Sequence, residues 1–160
     1  MVSSESSRSE VTVRPARMSD LEALVRFSAA MAQETEGRKL DLERLRKGTL
    51  AVLESGEHGY YMVAETRDGI VGQLLITYEW SDWRHGVFWW IQSVYVDPSV
   101  RGQGIYRTMH ASVLQEARRR PEVCGLRLYV EKDNAAAQAV YRRLGMQMTP
   151  YQVYEQDFLL

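Results

Sequence analysis

The chain has 160 residues, 45% hydrophobic and 26% charged, with 20 Lys+Arg against 21 Asp+Glu for a formal net charge of −1. That length suits one domain with a core of its own, and the charge balance excludes a general polyanion binder while leaving room for a local anion site. Cys124 is the single cysteine, so an intrachain disulfide is excluded; with no apolar run near the roughly eighteen residues of a membrane span, the expectation is a cytoplasmic protein with neither membrane nor nucleic-acid partners.

Residues 1–10 are almost devoid of apolar side chains and read as a disordered tail, which leaves residues 11–160 as one domain. Val11-Thr12-Val13 alternates into Pro15 as a short strand. Ser19-Asp20 offers an N-cap to a helix striped by Leu21, Leu24 and Val25 and running to about Gln33. The polar stretch Glu34–Lys39 connects it to a second helix around Leu42–Leu53, capped by Asp41. Tyr60–Glu65, Ile70–Tyr78 and Val87–Val96 are predicted strands, joined by a turn at Arg67-Asp68-Gly69 and a hairpin at Ser81–Gly86. Ile105, Met109, Val113 and Ala117 recur every four positions on a helix that Pro121 stops. Leu126–Val130 alternates as a strand; Asn134 caps a last helix ended by Gly145, and Val153–Phe158 is a final strand. The order is β-α-α-β-β-β-α-β-α-β. It implies a mixed α/β (α+β) sheet with a parallel pair wherever a helix joins two strands.

The stretch Val94-Tyr95-Val96-Asp97-Pro98-Ser99-Val100-Arg101-Gly102-Gln103-Gly104-Ile105-Tyr106 joins a buried-type strand to a helix through a glycine-rich turn. Gly102 and Gly104 lack side chains that would keep an anion from the backbone N–H groups, and the helix start adds its positive dipole end. Arg101 and Arg107 add charge. The chemistry suits a phosphate or pyrophosphate; the plain alternative is a tight turn that binds nothing. A dinucleotide fingerprint fails because position 107 is Arg, and a P-loop fails because no Gly-Lys-Ser/Thr occurs.

Arg101, Gly104 and Tyr106 stand in an Arg-x-x-Gly-x-small pattern that resembles the pyrophosphate signature of the GNAT superfamily of N-acetyltransferases, with Tyr106 where the family usually has Gly or Ala. A second stretch, Asn134 through Ala137, Tyr141, Arg143 and Gly145 to Met146, is similar to the family's Asn-x-x-Ala-x-x-x-Tyr-x-Lys/Arg-x-Gly-Phe pattern, with Met for Phe. The resemblance covers about Val11 to Phe158. It implies a mostly antiparallel sheet of six to seven strands with four helices, and acetyl-CoA as cosubstrate. It also implies cofactor contacts from Val94, Tyr95, Val96, Arg101, Gly102, Gln103, Gly104, Ile105, Tyr106, Arg107, Asn134, Ala137, Tyr141 and Arg143. An N–H freed by a bulge within Val94–Val96 is expected to polarise the acetyl carbonyl. Tyr141 is expected to protonate the leaving thiolate, since a phenol near ~10 is still protonated at neutral pH and a thiolate near ~8.5 is basic enough to accept.

Many relatives carry Glu two residues before the position of Val94. Here Gln92 stands there, so the base is sought in Glu79, Asp82, His85 or relayed water; Glu79 is favoured, and Gln92 is left to orient the acceptor. All four tryptophans fall between Trp80 and Trp90. Trp89 and Trp90 must face opposite sides of a strand, so one is free to shape an acceptor cleft. Trp80, Trp90, Gln92, Glu34, Glu36 and Glu79 could together suit a cationic amine; a packed hairpin or a dimer contact is the alternative use. His58, His85, His110 and Cys124 lack metal-ligand spacing, so no metal is expected. The resulting expectation is an N-acetyltransferase acting on a primary amine of a small molecule by direct attack in a ternary complex, with a homodimer suggested by the resemblance. Protein N-terminal or lysine acceptors, a catalytically silent CoA-binding module and a purely structural dimer are the competing classes.

Overall fold

The computed structural model describes residues 10–159. The tail expected over residues 1–10 therefore lies, up to residue 9, outside the described residues. The chain divides into two compact units, the first closing at Tyr129 and the second running from Val130.

The first unit holds strands β1 (Thr12–Pro15), β2 (Gly59–Thr66), β3 (Gly69–Ser81), β4 (Gly86–Val96) and β5 (Val123–Leu128), with helices α1 (Leu21–Glu36), α2 (Leu42–Ser55) and α3 (Ile105–Arg118). They form one sheet in the order β1-β2-β3-β4-β5. The first three pairings are antiparallel, and β4 pairs with β5 in parallel, as the α3 crossover requires. The second unit contains α4 (Ala135–Arg143).

The two faces of the sheet bury different partners. Met62, Ala64, Leu74, Ile76, Trp89 and Ile91 cluster with Ile105, Met109, Val113 and Ala117, so the four-residue spacing of α3 is its core stripe. On the opposite face Leu24 of α1 closes over Tyr61 and Val63 of β2.

Several expected boundaries move. The first helix runs on to Glu36, because Gly37 in the left-handed region (φ 61) supplies the cap; Glu34 is thus helical and not part of a linker. Asp41 caps α2 as expected, accepting from the N–H of Glu43 and Arg44. Asp20 occupies the N-cap position of α1 without capping it. Its carboxylate instead accepts from the Arg17 N–H at 2.7 Å and from Arg14, which also binds Glu65. The strand expected at Leu126–Val130 starts earlier, at Val123, because its ladder is set by β4. Among the described residues the sheet has five strands rather than six to seven. The strand expected at Val153–Phe158 does not form among the described residues: alternation makes a strand only beside a partner, and the second unit holds no other strand.

Candidate active site

β3 and β4 keep one register from Ser81↔Gly86 to Leu75↔Gln92, then pair again at Gln73↔Tyr95 in a register shifted by one residue. Ser93 and Val94 together therefore face Leu74, which is a bulge: one extra residue leaves the ladder and bends the strand. Ser93 has φ 49, a left-handed conformation unusual for a residue with a Cβ. Across the sheet the buried Gln73 donates from Nε2 to the Ser93 carbonyl at 3.2 Å and to Ser28 Oγ on α1 at 3.0 Å. The extra residue also resets the side-chain alternation. Tyr95 turns toward α1, its ring centroid 5.1 Å from that of Phe27 and its hydroxyl donating to Glu34 Oε1 at 2.9 Å.

β4 runs into a loop braced by Asp97, whose Oδ1 accepts from the Ser99 N–H at 2.9 Å. Gly102 (φ 78) and Gly104 (φ 83) are both left-handed. A Cβ at either would meet nothing within 4 Å, so conformation and not crowding calls for glycine there. Gly104 is the N-cap residue of α3 and no side chain caps that helix. Uncapped leading N–H groups together with the helix dipole are chemistry that suits a phosphate or pyrophosphate. Arg101 lies alongside: Nη2 donates to Glu34 Oε2 at 2.8 Å, Nε to the Val96 carbonyl at 2.8 Å, and the guanidinium sits 5.2 Å over the Tyr95 ring. Hydrogen bonds from Arg101 and Tyr95 hold the Glu34 carboxyl below its ordinary value. Burial, reinforced by Glu34, pushes the Tyr95 phenol up.

Beyond the bulge, on the face that carries Leu75 and Gln92, a polar and aromatic set converges. Thr77 pairs with Trp90 and Glu79 with Phe88, while Arg127 of β5 stands opposite Trp90. Gln92 Nε2 donates to Thr77 Oγ1. Glu79 Oε2 accepts from Trp90 Nε1 at 3.0 Å and from Arg127 Nη1 at 2.6 Å. The Arg127 guanidinium lies 3.7 Å over the Phe88 ring, and the Trp90 ring is 4.5 Å from that of Tyr129. Both hydrogen bonds to Glu79 end on the same carboxylate oxygen, Oε2.

In the second unit Asn134 Oδ1 accepts from the Ala137 N–H at 3.0 Å, the helix cap expected from sequence. Arg143 is exposed, its Nε donating to the Ala139 carbonyl at 3.2 Å. Tyr141 is half-buried, and burial raises its phenol above the ordinary value.

Val94, Tyr95, Val96 and the residues from Arg101 to Arg107 thus lie on one continuous strand, loop and helix start. Ile105 is buried in the α3 core; Gln103 and Arg107 are exposed, and the half-buried Tyr106 lies against that core. Trp90, Gln92 and Glu79 share one face. Trp80 does not join them: it faces the side of Tyr78 and Trp89, is 61% exposed, and its ring is 5.7 Å from that of His85. Glu34 does not join them either, being bound to Arg101. Sequence reasoning missed Arg127 and Gln73. Arg127 left no signal without the β4–β5 register, whereas Gln73 left one, as the single polar side chain in the run Ile70–Ile76. Among the described residues no group of His, Cys, Asp and Glu could hold a metal, and no helix is long and apolar enough to cross a membrane.

A family model described as the acetyltransferase (GNAT) family matches residues 21–146. Among solved structures, a possible acetyltransferase from Clostridium difficile 630 is 41% identical, with TM-score 0.87 over 94% of this chain and 99% of that one. A predicted acetyltransferase with acetyl-CoA from Clostridium acetobutylicum is 21% identical, with TM-score 0.75 over 92% of this chain and 96% of its own. A ribosomal-protein-alanine N-acetyltransferase from Brucella melitensis biovar Abortus 2308 shares the fold at 15% identity, with TM-score 0.75 over 93% and 99% of the two chains. No protein of curated function matches this chain.

Proposed function

The chain belongs to the GNAT acetyltransferase family, and from that premise we propose that it transfers an acetyl group from acetyl-CoA to a primary amine of a small molecule, by direct attack in a ternary complex. The observation that carries the proposal is the bulge at Ser93–Val94 placed just upstream of the uncapped, glycine-flanked start of α3. A carbonyl-polarising donor and an anion cradle then sit on one strand, loop and helix start.

Acetyl-CoA supplies a reactive thioester. Val94, Tyr95 and Val96 offer backbone partners to its pantetheine arm. Gly102, Gln103, Gly104, Ile105 and Tyr106 present the helix start to its pyrophosphate, with Arg101 and Arg107 as charge. Asn134, Ala137 and Arg143 are assigned to the same cofactor by the motif they form. The Val94 N–H donates to the acetyl oxygen as charge builds there. Glu79 Oε1 takes a proton from the bound ammonium and passes it to solvent, which frees a neutral amine to attack; the same oxygen takes the second proton that nitrogen sheds as the amide forms, while Gln92 and Trp90 orient the amine beside it. As the nitrogen–carbon bond forms and the carbon–sulfur bond breaks, the Tyr141 hydroxyl passes its proton to sulfur, and solvent returns it. Glu34 acts through Arg101, fixing that side chain at the edge of the loop; Trp80 falls outside the acceptor site.

The protein is further proposed to act in the cytoplasm as a homodimer. The exposed free thiol of Cys124 fits a reducing compartment, and the exposed apolar residues near the C-terminus fit a subunit contact. The test is calorimetric titration with CoA, then release of free thiol from acetyl-CoA with a panel of small amines and with peptides. Binding with turnover of a small amine is expected. Binding without turnover on any amine would leave a silent CoA module, and turnover confined to peptides would move the acceptor to protein.

A further inference from the structure

The bulge in β4 is not self-supporting. Ser93 holds φ 49, where its Cβ crowds its own backbone, and the bulged residues have lost part of the ladder that fixes a strand. One fully buried side chain spans the gap: Gln73 of β3 donates to the Ser93 carbonyl at 3.2 Å and to Ser28 Oγ at 3.0 Å, both from Nε2. A carbonyl only accepts, so Ser93 dictates which end of the carboxamide faces it. The layer continues from Ser28 to the Tyr61 phenol, and from there to Thr49 of α2.

Gln73 is a poor residue for this position on packing grounds alone. It sits between Gly72 and Leu74 in an apolar run, and its Oε1 is buried with no hydrogen-bond partner among the described residues. An aliphatic side chain would avoid that desolvation. What the carboxamide does there is local: both of its donor bonds converge on the bulge and on the helix beneath it.

We propose that Gln73 is a positioning residue for acetyl transfer. Its role rests on the bulge acting as the oxyanion donor. The peptide between Ser93 and Val94 is planar and trans, so the Ser93 carbonyl and the Val94 N–H point in opposite directions. Pinning the first from the α1 side aims the second.

The test uses Gln73→Met, which keeps the side-chain volume and removes both donors. A misplaced donor lowers kcat roughly 10- to 100-fold, with the CoA dissociation constant and the KM for acetyl-CoA staying at wild-type values. The carbonyl stretch of isotope-labelled acetyl-CoA bound to the protein reads the donor directly. It is lowered in the wild type and returns toward the free value in the variant. Gln73→Glu is the second variant: only its protonated carboxyl can donate to the Ser93 carbonyl, so its kcat relative to wild type recovers as pH falls. A wild-type complex with no lowered stretch overturns the oxyanion role of the bulge, and the part given to Gln73 with it. A lowered stretch that survives both variants, with kcat unchanged, overturns the part of Gln73 alone.

Discussion

Tyr141 carries the heaviest single-residue burden in the proposed chemistry, and its environment suits a proton donor. Burial raises the phenol above the ordinary tyrosine value, and a donor works only while protonated. The group is therefore competent across the neutral range, and its contribution disappears only as pH climbs through the raised value. A plot of kcat against pH is expected to show no falling limb from this residue below about 10. Tyr141→Phe is expected to lower kcat roughly 100-fold, within the span typical of general acids, with CoA affinity unchanged by calorimetry; wild-type turnover would remove Tyr141 from the reaction. Glu79→Gln probes the other proton. Its hydrogen bond from Trp90 is retained, so a loss in kcat/KM that appears for amines but leaves CoA binding alone would fix the acceptor side. The residue scale also shows what the sequence can and cannot reveal. Gly102, Gly104 and Asn134 announce themselves, because their requirements are local: backbone conformation and a helix cap. Arg127 does not, because its contact with Glu79 exists only once β5 pairs with β4 in one register. Glu34 was legible as a carboxylate but not as the partner of Arg101, since that contact depends on α1 continuing past Gln33.

At the scale of elements, the α3 start and the β1–α1 junction are the two places where a single change should travel furthest. Gly104→Ala keeps the open space but places a Cβ on a backbone at φ 83, at a cost of about 1–2 kcal/mol. Relief of that strain pulls the loop from its anion-binding shape. CoA affinity is expected to fall roughly 5- to 30-fold, with kcat at saturation near wild type, the reverse of the Tyr141 pattern. At the junction, Arg14 joins β1 to the turn before α1 and to β2 by binding both Asp20 and Glu65. Burial pushes the Asp20 carboxyl up, yet the hydrogen bonds from Arg14 and the Arg17 N–H outweigh it, and the group ends below its ordinary value. A carboxyl lowered on folding contributes stability above its unfolded value near 3.8, and loses it as pH falls through the folded one. Asp20→Asn is expected to destabilise the protein by about 3 kcal/mol, because it leaves Arg14 half-paired where little water reaches. The difference between mutant and wild type in urea midpoints should shrink toward the acid end of the titration, and a constant difference would assign the cost to packing. The same junction explains one departure from expectation. Asp before a helical stripe reads as an N-cap, but a guanidinium from a neighbouring strand competes for the carboxylate and wins, a tertiary contact that local sequence does not show. β4, by contrast, was legible to within one residue, because its aromatic and apolar run is long and bounded by turns; β3 was legible at its start but runs three residues past the expected Tyr78, to Ser81, where its ladder with β4 carries it on.

For the molecule as a whole, the chain beyond α4 raises the question of what covers it. Met148, Tyr151, Val153, Tyr154, Phe158 and Leu159 are between 67% and 95% exposed, and no strand forms there among the described residues. So many large apolar side chains within a dozen positions of an exposed segment is uncommon for a protein that works alone. β5 is the last strand of the sheet order, and an edge strand presents unpaired backbone groups that natural proteins rarely leave open. Every copy carries both features, and a two-fold contact between copies uses the pair of them reciprocally and closes at two. The sizes are compatible: Tyr151, Tyr154 and Phe158 can bury about 150–250 Å² each, and a stable pair needs about 800 Å² per partner. Sedimentation velocity is expected to give a dimer, with a melting temperature that rises with protein concentration. Removing residues 147–160 is expected to give a monomer that has lost that concentration dependence and still shows the calorimetric response to CoA, since the cradle from Val94 to Arg107 lies in the other unit. A full-length chain that sediments as a monomer at every concentration would sink the dimer. A truncated chain that stays dimeric would move the contact elsewhere, and the hairpin around Trp83, the most exposed of the tryptophans, is the next surface to vary.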